Sequence, residues 1–508
     1  MKADLVILNG NILTLSEQGK AEALAILKDR IVFIGSNEDV KEYIGKSTKV
    51  IDVFGKCVIP GFCDSHAHFL SLGADHIDLS ETKSIEDVTR LLEKKSRDIP
   101  KEDWLIGVNW DESKWDDGRY ITKYDLDEIE NPVFLRRIDG HLASLNSKGL
   151  AKLKIEEKFL KKDERGEKTG IIIEDAVFQT YNEIARGKKE LEKSLRKAQK
   201  IALQNGVTSV HDVGDDRSLK TYLSLRRELR VRIYLNLLVE FFENLERLGI
   251  VTGFGNEVLR LGGVKIFLDG SLGAHTASLK RPYSDDEKTC GMMLYDEEEL
   301  EILMRRIDKA GLQLMVHAIG DKAIEKVIEI FEKFLIKGKR HRIEHLEITP
   351  NQLVKRLKKL KIIASMQPNF VGNWSKKGGM YEARLGKDRL KVNNRFRTLA
   401  DSEIKIAFGS DCMPFNPLYG IHFAVNHPIK EERITVLEAL KFYTVNGAFA
   451  SFEEDIKGTI EVGKLADLCV LSRDPTKNPK KIKDIKVEMT IFSGEVVYER
   501  ANPFKIRL

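Results

Sequence analysis

The chain has 508 residues, of which 42 % are hydrophobic, and its 84 basic and 79 acidic residues leave a formal net charge of +5. This length exceeds that of one ordinary domain, and the balance of charge does not favour nucleic-acid binding, because the basic runs carry acidic neighbours or helical spacing. No apolar run approaches the roughly 18 residues that a membrane span requires.

Short strands separated by Gly and Asn turns occupy both ends of the chain. Residues 1–57 contain "DLVILNGNILTL" and "ALAILKDRIVFIGS", and residues 454–508 contain "KVEMTIFSGEVVYER". Such runs are typical of small all-β units. Because chain termini often lie close together, we expect one β-sandwich built from both ends.

Residues 58–453 alternate apolar strands with amphipathic helices, a pattern that predicts an α/β fold. Nearly continuous apolar runs are typical of parallel strands buried on both faces. Eight such runs predict a (β/α)8 barrel of the TIM type. The predicted strands are 58–68, 206–212, 232–238, 262–270, 312–321, 341–347, 361–368 and 404–411. The interval between the first two is too long for one helix, so we expect an inserted α+β subdomain at about residues 72–190.

Polar residues of metal-binding type follow the ends of the predicted strands, where the chemistry of such barrels is located. One histidine alone is more often structural, but four of the chain's 11 histidines at such positions favour a shared site. Imidazoles and a carboxylate without thiolates suit Zn, Fe, Mn or Ni in a catalytic rather than a structural centre. The candidate residues are His66, His68, Lys265, His317, His345 and Asp411.

Several motifs together resemble the amidohydrolase superfamily and, within it, the YtcJ-like branch that includes N-substituted formamide deformylases. They are "PGFCDSHAH", "DGSLG", "VHAIGD", "RIEHLE", "ASMQP", "FGSD" and "KGTIEVGKLADLCVL", and the resemblance covers nearly the whole chain. It implies that Lys265 takes up CO2 and that the resulting carbamate bridges two divalent metal ions, with zinc the first expectation. One ion would be held by His66, His68 and Asp411, and the other by His317 and His345. Glu174 in the insertion is the alternative bridge, or else a surface or structural carboxylate.

The resemblance implies a metal-dependent hydrolase that cleaves the C–N bond of an amide, an N-formyl compound or a cyclic amide. A metal-activated hydroxide would attack, and Asp411 would take its proton and deliver it to the leaving nitrogen. Two alternatives are an aromatic-ring deaminase with one metal and a non-catalytic regulator that retains the fold. Five cysteines without zinc-finger or redox spacing fit a reducing cytoplasm. We expect a small-molecule substrate and no nucleic-acid or membrane partner, and homo-oligomerisation is compatible with the sequence.

Four further residues are candidates for substrate binding. His141 could bind the substrate carbonyl or make a structural hydrogen bond, and His211 could contact substrate or pack. Gln367 is expected in the substrate pocket. Trp110, with Trp104 and Trp115, forms either the core of the insertion or an aromatic wall. The insertion and residues 375–386 could together act as a lid.

Overall fold

The eight predicted barrel strands are present in the computed structural model, which describes residues 1–184, 187–334, 339–500 and 505–507. They form one sheet in sequence order, with every ladder parallel. Their bounds are Phe62–Ala67, Val207–Gly214, Arg232–Leu238, Leu259–Phe267, Gln313–Ala318, Arg342–His345, Ile363–Met366 and Lys405–Phe408. The first and eighth strands nearly close the sheet, and the Asp411 N–H, just past the eighth, donates to the His66 carbonyl at 2.8 Å.

Amphipathic helices cover the outside of this barrel. In Asp321–Phe334 the buried residues recur at three- and four-residue spacing, for instance Ile324, Val327 and Phe331, so one apolar stripe faces the strands. The helices are Phe69–Leu72, Lys188–Gln204, Asp216–Ser224, Phe242–Leu248, Glu297–Lys309, Asp321–Phe334, Asn351–Leu360, Pro368–Trp374, Met380–Leu390, Phe396–Asp401, Pro417–Val425, Val436–Phe442 and Val445–Ala450. None in the described parts of the chain is long and apolar enough to cross a membrane.

The insertion forms a six-stranded mixed sheet with its own hydrophobic core. Its strands are Ile77–Asp78, Leu105–Trp110, Val133–Arg137, Leu142–Leu145, Leu160–Lys162 and Lys168–Ile173, and its helices are Ile85–Ser96, Lys123–Leu126, Ser147–Ala151 and Asp175–Glu183. Trp110 and Trp115 stack in this core with ring centroids 5.7 Å apart. Each indole N–H donates to a backbone carbonyl, that of Leu135 and that of Thr82 respectively. Both tryptophans therefore serve the packing of the subdomain.

Strands from both ends of the chain build two further sheets that share a core. One contains Leu5–Leu8, Ala23–Leu27, Arg30–Gly35, Lys49–Asp52 and Lys505–Arg507. The other contains Asn11–Leu13, Lys20–Ala21, Cys57–Pro60, Leu468–Leu471, Val487–Phe492 and Glu495–Glu499. Residues 501–504 and 508 of the expected C-terminal segment lie outside the described residues. Arg232 of the barrel and Asp467 form a buried ion pair across the boundary, at 2.6 Å.

The expected first barrel strand, 58–68, is corrected to two strands in different sheets. Cys57–Pro60 pairs with sandwich strands, and Phe62–Ala67 pairs with the second barrel strand. The break falls at Gly61, where an added Cβ would lie 2.2 Å from Thr208 Oγ1. Glycine is the residue that fits this close approach, at the point where the chain passes from one sheet to the other.

Candidate metal centre

Four imidazoles and a carboxylate converge where the barrel strands end. The ring centroids of His66 and His345 are 4.9 Å apart, and those of His317 and His345 are 4.4 Å apart. His68 Nε2 lies 3.4 Å from the Asp411 carboxylate. Ligand atoms of His66, His345 and Asp411 all lie within 4.8 Å of one another. The fold thus brings together the five side chains that the sequence placed at strand ends.

The backbone at two of these positions has an uncommon conformation. His345 has φ of 71° and Asp411 has φ of 51°, and neither is glycine. A left-handed conformation costs an ordinary residue of order 1–3 kcal/mol, and such positions cluster at functional sites. The neighbouring structure holds both residues there: the Asp411 N–H is bonded to the first strand, and the next N–H after His345, that of Leu346, donates to Ala318 O.

Two of the imidazoles are oriented from behind by buried acceptors. His66 Nδ1 donates to Glu344, and His345 Nδ1 donates to Gln367 Oε1 at 2.7 Å. In this tautomer Nε2 of each ring keeps its lone pair and can bind a metal ion. Arg342 in turn donates to both carboxylate oxygens of Glu344, at 2.8 and 3.0 Å.

Burial sets the protonation of the centre. It lowers the pKa values of His66, His317 and His345 well below their usual range, so these imidazoles are neutral at physiological pH. It also lowers the pKa of the Lys265 amine and raises the pKa of Asp411. Neutral imidazoles are the form that binds metal, and a neutral amine is the form that reacts with CO2.

Unsatisfied polar atoms test whether this residue set fits a metal ion. Among the described residues, Asp411 Oδ1 and His317 Nδ1 are buried and have no hydrogen-bond partner. The Lys265 amine is buried too, with Nζ 3.4 Å from His66 Nε2. Buried lone pairs without donors are costly in an apolar setting, whereas a cation between them would satisfy them. The residues present therefore fit a divalent metal centre.

The insertion adds one more imidazole to this cluster. His141 has its ring centroid 4.9 Å from that of His317, and its Nδ1 is 2.7 Å from Glu174 Oε2. Burial lowers the pKa of His141, but the carboxylate of Glu174 outweighs it and raises the pKa to about 9. Glu174 is fully buried, which excludes the surface interpretation, and its other oxygen has no hydrogen-bond partner among the described residues.

A cavity of about 470 Å³ leads from the centre to the surface between the barrel and the insertion. Metal-centre residues form its inner end, and His141, Arg136 and the rings of Phe178 and Phe267 contribute to its walls. Such a mixed apolar and polar lining is typical of a pocket for a small molecule.

Comparison with known proteins decides the family. The sequence profile of the amidohydrolase family matches residues 49–498. The chain belongs to the amidohydrolase family. The YtcJ protein of Bacillus subtilis is 33 % identical over 97 % of this chain and 99 % of its own, and the N-substituted formamide deformylase of Arthrobacter pascens is 28 % identical over 98 % of each chain. A solved metal-dependent hydrolase of Pyrococcus furiosus superposes with a TM-score of 0.74 at 32 % identity, covering 93 % of this chain and 99 % of that one.

These findings confirm the predicted family and the barrel fold. This amidohydrolase is a metal-dependent hydrolase that acts on carbon–nitrogen bonds, as the sequence predicted.

Three expected substrate-binding residues do not line the cavity in the described part of this amidohydrolase. His211 lies inside the barrel, where its Nδ1 accepts from Arg342 at 2.9 Å. Gln367 holds His345 from behind, and Trp110 packs in the core of the insertion. These positions fit the packing alternatives that the sequence left open for His211 and Trp110 and a supporting role for Gln367, whereas His141 faces the cavity.

Two residues near the candidate centre, Glu344 and Arg136, were not predicted from the sequence. The run "HRIEHLE" contains a signal for the first, since a glutamate inside a buried strand needs a partner. The run "FLRRIDGH" contains one for the second, since two adjacent arginines on a strand point to opposite faces.

Proposed function

We propose that this amidohydrolase holds two divalent metal ions, with zinc as the first candidate, and hydrolyses an amide or N-formyl bond. The observation that carries the proposal is the buried Asp411 Oδ1, which faces neutral imidazoles and has no hydrogen-bond donor in the described parts of the chain. His66, His68 and Asp411 would hold one ion, and His317 and His345 the other. A bridging group between them would come from Lys265.

The buried amine of Lys265 is the basis for the bridge. Its nitrogen would add to the carbon of CO2, form one N–C bond and release one proton, which leaves an anionic carbamate. No ion pair joins Lys265 to a carboxylate within the described residues, and its ammonium would lie over the Phe267 ring, 4.6 Å from the centroid. A carbamate between two cations would remove the cost of burying that ammonium.

The reaction requires a proton carrier and an oriented carbonyl. Metal ions at this centre would supply an acidified water and polarise the substrate carbonyl. Asp411 would accept the proton of the attacking water through the carboxylate oxygen that does not bind metal and pass it to the leaving nitrogen. His141, held by Glu174 through Nδ1, would donate a hydrogen bond from Nε2 to the substrate carbonyl oxygen.

We also propose a cytoplasmic location. The five cysteines are free thiols, and Cys57, Cys63 and Cys469 are buried. This cysteine usage suits a reducing compartment.

Substitution of Asp411 by asparagine tests the proposed chemistry. We expect Asp411→Asn to keep most bound metal, and kcat on N-formyl and N-acyl amines to fall by about 10²–10⁴-fold, because the amide cannot carry the proton. Asp401→Asn, at the end of a surface helix, is the matched control. Near wild-type kcat in Asp411→Asn would show that the proton carrier lies elsewhere.

Metal stoichiometry and intact mass test the bridge. Elemental analysis should give two metal ions per chain, and gentle mass spectrometry should give a mass excess of one CO2 that Lys265→Met lacks. One metal per chain and an unmodified Lys265 would instead favour the single-metal deaminase chemistry.

A further inference from the structure

Arg136 is a cation in the cavity wall that has no anionic partner among the described residues. Arg136 belongs to the strand Val133–Arg137 of the insertion, and its side chain lines the cavity that also contains His68 and Asp411.

The adjacent arginine shows what a satisfied guanidinium looks like in the same strand. Arg137 is fully buried and pairs with Glu112 at 2.8 Å and Asp139 at 2.7 Å. Arg136 points to the other face, and its side chain has no hydrogen bond and no carboxylate within 4 Å among the described residues. The guanidinium lies over the ring of Tyr181, with its central carbon 4.9 Å from the ring centroid.

The acidic residue in register with Arg136 is already engaged. Asp78 and Arg136 lie on the two strands that flank Val108, and each is directly opposite Val108 in its ladder. The Asp78 carboxylate accepts from Asn109 Nδ2 and from the Ser80 N–H, both at 3.1 Å, and it makes no ion pair with Arg136. The half-buried guanidinium is thus left with its donors free for an anion that enters the cavity.

The apolar walls of the cavity indicate which kind of group the substrate carries beside its anion. The rings of Phe178 and Phe267 pack 5.0 Å apart beside the centre, and Leu238 and Met413 add aliphatic surface. An apolar group of the substrate fits these walls while a charged group fits Arg136. A planar guanidinium stacked on a ring is suited to a planar carboxylate, which it can bind through two parallel hydrogen bonds.

We propose that Arg136 binds a carboxylate of the substrate, so that the substrate of this hydrolase is an N-acyl or N-formyl amino acid with an apolar side chain. The inference depends on the proposed hydrolysis of an amide or N-formyl bond. It makes Arg136 a specificity-determining residue, which neither binds metal nor moves a proton.

A pair of substrates that differ by one carboxylate tests the proposal. N-formylphenylalanine, as each enantiomer, and N-(2-phenylethyl)formamide share every other group. We expect the holoenzyme to hydrolyse one enantiomer of the acid with a kcat/KM about 10- to 150-fold above that of the neutral amide, the range of a hydrogen bond to a charged group. Arg136→Met should abolish this preference through a loss on the acid alone, and Arg136→Lys should restore part of it.

A paired arginine in the same cavity supplies the control. Arg217 also lines the cavity, but its guanidinium contacts Asp215 at 2.7 Å. Arg217→Met should change the acid-to-amide ratio less than about threefold, because a neutralised cation adds little attraction for an anion. An unchanged ratio in Arg136→Met, or an equal loss on both substrates, would overturn the proposal.

A binding measurement separates failure of this inference from failure of the proposed reaction. N-acetylphenylalanine is titrated calorimetrically into metal-loaded wild-type protein and into metal-loaded Arg136→Met. Any binding of the carboxylate to metal is the same in both proteins. Binding at least tenfold weaker in the variant therefore supports the inference, even if neither N-formylphenylalanine nor N-(2-phenylethyl)formamide is hydrolysed. Equal affinities would refute it even if hydrolysis is observed.

Discussion

Replacement of Glu344 by glutamine should perturb the proposed metal centre without removing a proposed ligand. The side chain of Glu344 is fully buried, and it accepts from His66 Nδ1 and from Arg342. Glutamine has the same shape but only one acceptor oxygen, and its amide N–H group would face a second donor. The variant can therefore satisfy either His66 or Arg342, but not both.

The magnitude follows from these two contacts. Loss of the group that orients a metal-binding histidine typically weakens metal affinity 10- to 100-fold, or about 1.4–2.7 kcal/mol. The Arg342 cation would also lose its counter-charge, which sets an upper range of about 3–5 kcal/mol on the fall in the free energy of unfolding. Its remaining bonds, to Ser65 O at 2.6 Å, Ser365 Oγ at 2.9 Å and His211 Nδ1 at 2.9 Å, should keep the loss below that range.

Chelator competition with zinc measures the affinity of Glu344→Gln, and urea unfolding measures its stability. Glu432→Gln is the matched control, because Glu432 is also buried and pairs with Arg395 at 3.2 Å, but it does not line the cavity in the described chain. The control should lose stability and keep wild-type zinc affinity. Wild-type zinc affinity in Glu344→Gln would refute the reasoning that Glu344 holds His66 in position.

Two substitutions test the scaffold. In Gly409→Ala the new Cβ would lie 2.4 Å from the His66 backbone nitrogen, so we expect about 1–3 kcal/mol lower stability and a lower metal content by elemental analysis. Arg232→Met leaves Asp467 buried without its cation and should cost about 3–5 kcal/mol in urea unfolding, whereas loss of the exposed pair in Arg196→Met should cost less than about 1 kcal/mol. A cost for Arg232→Met as small as that of Arg196→Met would show that the buried pair does not couple barrel and sandwich.

The fold was largely predictable because buried parallel strands are apolar on both faces. The third barrel strand, 232–238, has the same bounds in the sequence prediction and in the structure. The first strand was wrong because one apolar run, 58–68, serves two sheets, and hydrophobicity does not record which sheet a residue joins. The close approach at Gly61, where the change occurs, depends on Thr208, about 150 residues away.

The side chains at the candidate centre were predictable from residue type and strand position, but their supports were not. His211 and Gln367 are polar and lie near strand ends, as the metal-binding candidates do, yet they point at Arg342 and at His345. Their direction depends on the register of neighbouring strands. Likewise, "FLRRIDGH" shows two arginines, but which one lacks an acidic partner depends on Glu112, which comes from a separate segment.

The division of labour between barrel and insertion has a physical origin. The proposed metal ligands all come from the barrel, in which the second to seventh strands are each paired on both sides. The proposed substrate contacts, His141 and Arg136, come from a sheet with a separate hydrophobic core. Substitutions in that second core can shift these contacts without straining the barrel. Substitutions in the core of the insertion should therefore alter substrate preference and leave metal affinity unchanged. Substitutions of the residues that hold His66 and His345 from behind should alter metal affinity and leave substrate preference unchanged.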